Sequence, residues 1–122
     1  MVGPHKNLNV WNKSMRFAEE IYKITKSFPR EKLFGLVSQM RRAVVSVPSN
    51  IAEGYGRSSK AEVLHLLYIA LGSSNELDTQ MFISRQQAFV NEEDHVVVDK
   101  QNDDVHKMLN SLIYKRSHTS QP

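Results

Sequence analysis

LFGLVSQMRRAVVSVPSNIAEGYGRSSKAE, residues 33–62, places Leu33, Val37, Met40, Val44, Val47 and Ile51 at alternating spacings of four and three. That period draws one apolar seam along a helix, as a bundle requires. The seam then runs into Pro48, whose ring and missing N–H break the backbone bond to the Val44 carbonyl and bend the axis. Ser46, Ser49 and Asn50 are suited to satisfy the freed groups, and Gly54 to end the helix in the left-handed conformation. Gly56 supplies a second hinge, and Ser59 with Glu62 forms a capping box for the next helix. Most of the stretch is therefore punctuation between two helices.

Working outward, the spacing predicts a first helix over about 8–27. Trp11, Met15, Ala18, Tyr22 and Thr25 form one stripe, with Phe17, Ile21, Ile24 and Phe28 beside it and Pro29 closing the segment. The second helix starts near Arg30, and the third runs from Ser59 to about Gln87. Asn91 caps the fourth, with the acidic EED run in its first turn, where the helix dipole favours negative charge. HVVVD, residues 95–99, is β-branched and would suit a short strand. Helical spacing resumes through Val105, Met108, Leu109, Leu112 and Ile113, so the segment is read as helix to about Lys115. Residues 117–122, SHTSQP, offer nothing to bury and are expected to be a flexible tail. Short links make an all-α, up-down-up-down antiparallel four-helix bundle the expected fold, in one domain with its core over about 7–116.

The 122 residues are 40% apolar, enough for one modest core. There is no cysteine, which rules out disulfides, thiolate metal ligation and a thiol nucleophile and suits a reducing cytosol. Neither a signal-type apolar start nor a run long enough to span a bilayer is present, so a cytoplasmic location is expected. Net charge is only +3, but residues 1–60 carry 11 Lys/Arg against 4 Asp/Glu, and residues 61–122 carry 5 against 9. The first half can attract polyanions, or the two halves can neutralise each other across the bundle.

Chemistry-bearing constellations are sparse. GYGRSSK, residues 54–60, combines glycines, hydroxyls and cations at a helix start, which suits phosphate contact by Arg57 and Lys60. A nucleotide loop would follow a strand, and this one follows a helix. The five histidines include no pair at i, i+4, so neither a metal nor a cofactor is expected. Asp78 falls on the inner stripe of the third helix beside Ser74, Leu71 and Met81 and is expected to pair with an arginine or amide inside the bundle. Ser38, Arg42, Ser46, Ser49 and Glu53 lie opposite the seam of the second helix, where small hydroxyls allow another helix to approach. VLHLLYIAL, residues 63–71, is apolar nearly all round. Together these two faces predict self-association.

QMRRAVVSVPSNIAEGYGR (39–57) and YIALGSSNELDTQ (68–80) resemble the proteins encoded in intervening sequences of bacterial 23S ribosomal RNA genes, the S23 family. The resemblance covers about residues 7–116. It marks Arg41, Arg42, Pro48, Asn50, Ile51, Ala52, Glu53, Gly54, Tyr55, Gly56, Arg57 and Glu76 as motif positions. It implies a four-helix bundle assembled as a homopentamer, with no enzymatic activity and a role with RNA or DNA. A similar bundle serves as accessory protein of diversity-generating reverse transcriptases. Asn75 and Asp78 make the third helix more polar than the family pattern, and residues 92–107 follow it loosely.

The function expected on these grounds is non-enzymatic binding of structured nucleic acid by phosphate contact. The expected ligating residues are Lys13, Arg16, Lys23, Arg41, Arg42, Arg57 and Lys60. The alternative is a protein-binding scaffold or accessory subunit for a nucleic-acid enzyme such as a reverse transcriptase.

Overall fold

The structure is a computed structural model that describes residues 3–119. Four helices carry it: α1 (Asn9–Thr25), α2 (Ser38–Gly54), α3 (Lys60–Gln86) and α4 (Glu92–Ser117), and the described residues contain no strand. Single-turn 3-10 pieces at Pro4–Asn7 and Arg30–Lys32 precede α1 and α2. Cross-links fix the directions of the chain. Arg41, early in α2, bonds Thr25 at the end of α1. Ser84, late in α3, reaches Met40 at 3.7 Å, and Arg85 reaches Glu92 at 3.5 Å, across the turn into α4. Lys13 of α1 faces Asp104 of α4 at 3.9 Å, which closes the ring of antiparallel neighbours.

The seam of α2 is the centre of the core: Val37, Met40, Val44, Val47 and Ile51 are all essentially inaccessible, as are Phe17, Ile21, Leu67, Leu77, Val98, Val105 and Leu109. Both side-chain caps read from the sequence form. Ser59 Oγ accepts from the Glu62 amide at 3.2 Å, and Asn91 Oδ1 accepts from the Asp94 amide at 2.7 Å. The β-branched run 96–98 is helical, because Val98 fills the core while Val96 and Val97 stay outside.

Four expectations need correction. Leu33 is not on the seam. Residues Leu33–Val37 form a wider π-turn that swings Leu33 and Phe34 outward, leaving Phe34 93% exposed. On α1 the inner stripe is Val10, Phe17, Ile21 and Ile24, with Ser14 sharing it. Met15 and Tyr22 instead border, with Trp11 and Ala18, an open groove of 670 Å³ against Val45, Pro48 and Ala52 of α2. Gly54 remains the last right-handed residue of α2. The left-handed residue of the bundle is Ala88 (φ 59°), after α3, where the Phe89 amide returns to the Ser84 carbonyl at 2.9 Å. The tail is placed further than expected: Ser117 ends α4, and the Thr119 carbonyl accepts from Lys60 Nζ at 3.0 Å. Residues 120–122 of that tail lie outside the described residues.

Small hydroxyls on α2 do admit a close neighbour, and at Ser46 that neighbour is α3 of the same chain. Ser73 Oγ donates to Ser46 Oγ at 2.9 Å, and Asn50 Nδ2 donates to both the Ser46 carbonyl (2.8 Å) and its hydroxyl (2.9 Å). Asn50 thus holds the turn around the buried Pro48. Between α3 and α4, Ser74 Oγ donates to Asn102 Oδ1 at 2.7 Å and Asn102 Nδ2 donates to the Ser74 carbonyl at 3.0 Å. Each satisfies the other inside the bundle.

Candidate nucleic-acid interface

The seven cations named from the sequence do not form one patch. Arg42 and Gly54 stand twelve residues apart on α2, about 18 Å along the axis, so Arg41 and Arg42 belong to one end of the bundle and Arg57 and Lys60 to the other.

At the first end Arg41 is engaged with α1. Its Nε donates to Thr25 Oγ1 at 3.0 Å and an Nη to the Tyr22 carbonyl at 3.3 Å, while the guanidinium lies 4.7 Å from the Tyr22 ring centroid. A cation at the last carbonyls of α1 also complements the helix dipole. Arg42 is exposed and borders a small hollow with Ser46, Ser73 and the motif residue Glu76, whose carboxylate accepts from Gln80 Nε2 at 3.1 Å. Along α1, Lys13 faces Asp104, Arg16 is exposed, and Lys23 lines the groove toward α2. Lys13 to Asp104 is the one ion pair among the described residues that joins the basic and acidic halves, so the excess positive charge of the first half is mostly not cancelled internally.

The second end is where cations converge. The chain leaves α2 through Tyr55 and Gly56, Arg57 follows, and Lys60 opens α3. The last turn of α4 returns to the same place and adds Lys115 and Arg116. These two escaped the sequence reading, which treated the second half as acidic; the basic last turn of α4 was the signal available. Together with Tyr55, Val63, Leu67, Leu112 and Thr119 they surround a pocket of 460 Å³ that no carboxylate lines. Arg57 is held by Glu53, one turn earlier, at 2.7 Å, with both side chains about half exposed. Arg116 Nε is shut off from solvent and has no partner among the described residues. Burial pushes the Tyr55 phenol above its ordinary range, with the Arg116 charge opposing in part, so at neutral pH the group is a hydrogen-bond donor.

Gly54 is buried where α2 ends beside α3. A Cβ there would sit 3.6 Å from Leu66 Cβ and 3.7 Å from the Val63 carbonyl, ordinary contact distances. Pro48 and Ile51 are core, Ala52 is half-buried at the α1 groove, and Gly56 is exposed in the turn. The motif thus divides into a packed half and the Glu53–Arg57 pair beside the pocket.

A family model described as 23S rRNA-intervening sequence protein matches residues 6–111. The chain belongs to that family. The match runs through residues 92–107, which the sequence reading found loosest. A solved structure of a protein of unknown function from the S23 ribosomal protein family of Bacteroides thetaiotaomicron superposes with a TM-score of 0.80 at 26% identity, over 86% of this chain and 95% of that one. No curated protein matches the sequence. In this chain Pro48, Ile51 and Gly54 are all buried between helices.

Asp78 does not meet the expectation of an interior ion pair. It is exposed on α3 and borders a polar hollow with Asn75, Asp99, Asp103 and His106, because the inner position at that level is taken by Ser74 and Asn102. Among the described residues no group of three or more His, Asp or Glu side chains is placed to hold a metal, and no helix is long and apolar enough to cross a membrane.

Proposed function

We propose that this protein is a non-enzymatic nucleic-acid-binding bundle whose contact surface is the end formed by Arg57, Lys60, Lys115 and Arg116. The observation that carries the reading is the convergence of Arg57 from the α2–α3 turn with Lys115 and Arg116 of α4 around one pocket that no carboxylate lines, with Lys60 of α3 beside it on the Thr119 carbonyl. Such a surface attracts phosphate by charge and reads little sequence. With no strand platform of aromatic groups among the described residues, folded RNA or duplex DNA is a better ligand than a long single strand. Fluorescence anisotropy with labelled folded RNA, duplex DNA and single strands over a salt series tests this: affinity is expected to fall steeply with salt, and undetectable binding at low salt would refute it.

A second element of the proposal is self-association, with the homopentamer implied by the family resemblance as the assembly. Tyr68 and Phe82 on α3 and Phe34 before α2 are each more than half exposed, and Met15, Tyr22 and Val45 rim the α1–α2 groove. Apolar groups in this number favour protein contact. Assembly would present several cationic ends together. The same faces favour the scaffold reading, in which the bundle is an accessory subunit of a nucleic-acid enzyme such as a reverse transcriptase. Light scattering during gel filtration tests the assembly, a monomer mass at micromolar concentration being the contrary result.

A further inference from the structure

We infer that the pocket between α2, α3 and α4 takes one nucleotide at a phosphorylated strand end, its phosphate on Arg57 and Arg116 and its base on the apolar floor. The inference rests on the proposed nucleic-acid function and adds what part of the nucleic acid enters the protein. Three observations carry it. The pocket encloses 460 Å³, within the ordinary range for one small ligand. Its floor is apolar, made by Val63, Leu67 and Leu112, so a bare anion would leave that surface wetted, whereas a ligand with a flat apolar body covers it. Arg116 lines it with a guanidinium that no carboxylate pairs among the described residues, and its buried Nε has no partner there.

The end of a strand fits better than its middle. A terminal phosphate monoester carries up to one more negative charge than a backbone diester, and guanidinium groups bind it through two parallel N–H bonds. Arg57 and Arg116 supply two such groups, with Lys115 adding a point charge. Tyr55, kept protonated by burial, can donate to a base or ribose oxygen. None of this uses the glycine turn as a phosphate loop; the turn only delivers Arg57 to the pocket edge.

The test compares RNA hairpins of one sequence with a short single-stranded overhang, ending in phosphate or in hydroxyl, with adenosine monophosphate and inorganic phosphate as separate probes. The phosphorylated hairpin is expected to bind roughly tenfold more tightly than the hydroxyl form. That preference should vanish in Arg116→Gln, and in Leu112→Trp, which fills the pocket, each variant binding the two hairpins equally. Circular dichroism checks that the variants are folded, and Lys115→Ala provides a further variant outside the core. Equal binding of the two hairpins, with salt dependence intact, would overturn the inference and leave the nucleic-acid surface standing. Binding of adenosine monophosphate without either hairpin would overturn the strand end and assign the pocket to free nucleotides. If no probe binds, both the inference and the nucleic-acid reading fail.

Discussion

Ser73 donates its hydroxyl proton to Ser46 at 2.9 Å, at the point where α3 crosses α2. Two small side chains let the helix backbones approach there, and the bond satisfies groups that the contact removes from water. Ser46→Leu should therefore overpack the crossing and cost about 1–3 kcal/mol, whereas Ser49→Leu, on an exposed position of the same helix, should change stability little. Urea melts of the two variants compare them directly. A Ser46→Leu midpoint equal to wild type would show that the crossing is loose.

The left-handed position of the fold is Ala88, and Gly54 is right-handed. Ala88→Gly should then stabilise the protein by about 0.5–1 kcal/mol by removing the penalty of a Cβ at positive φ. Gly54→Ala should be neutral or stabilising by a similar amount, since its Cβ finds ordinary contact distances, while Gly54→Val should lose stability as its extra methyl groups crowd Leu66 and the Val63 carbonyl. Thermal unfolding of the three variants reads the order. Destabilisation by Gly54→Ala would restore the left-handed cap.

The local features of the fold were legible in the sequence, and those set by packing between helices were not. The seam of α2 from Val37 to Ile51 and the caps at Ser59 and Asn91 are local: each depends on residues within one or two turns, and each formed as expected. Glycine identity alone could not locate the left-handed residue, because Gly54 ends α2 in the right-handed conformation while the turn after α3 imposes positive φ on an alanine. Tyr22 and Met15 were read as core since neighbouring stripes on α1 differ by a small rotation, and only the position of α2 settles which one turns inward. Half of the candidate site was out of reach for the same reason. Lys115 and Arg116 join Arg57 through the return of α4, a relationship between residues 58 and 59 positions apart in the chain.

Arg41 and Arg42 are adjacent in sequence and unlike in role. Arg41→Ala removes two hydrogen bonds and a cation–aromatic contact to α1 and should cost about 1–2 kcal/mol. Arg42→Ala should cost well under half of that, since its exposed side chain packs little. Melting curves of both proteins decide the matter, and equal losses would remove the structural role given to Arg41.

The Tyr55 phenol has a raised pKa in the fold, from burial first, with Arg116 opposing. Below about pH 10, the ordinary phenol value, folded and unfolded forms are both protonated and the contribution is fully present. As pH rises the unfolded chain ionises first, and stability falls until the folded group also titrates. Tyr55→Phe should flatten this alkaline loss, and Arg116→Gln should push the Tyr55 titration higher still. Ultraviolet difference spectra across the alkaline range follow the phenol, and an unmoved transition in Arg116→Gln would contradict the placement of the two groups.

The most direct test is the salt slope of folded-RNA binding in wild type, Arg57→Ala/Lys115→Ala and Arg16→Ala/Lys23→Ala, with oligomer mass checked in each. If the surface at the end of α2, α3 and α4 is the interface, the first double variant loses affinity for every sequence alike. Its log–log slope then falls by about one unit for each phosphate contact removed, while the second double variant follows wild type. Equal losses from the two pairs, or an unchanged slope in Arg57→Ala/Lys115→Ala, would contradict the account.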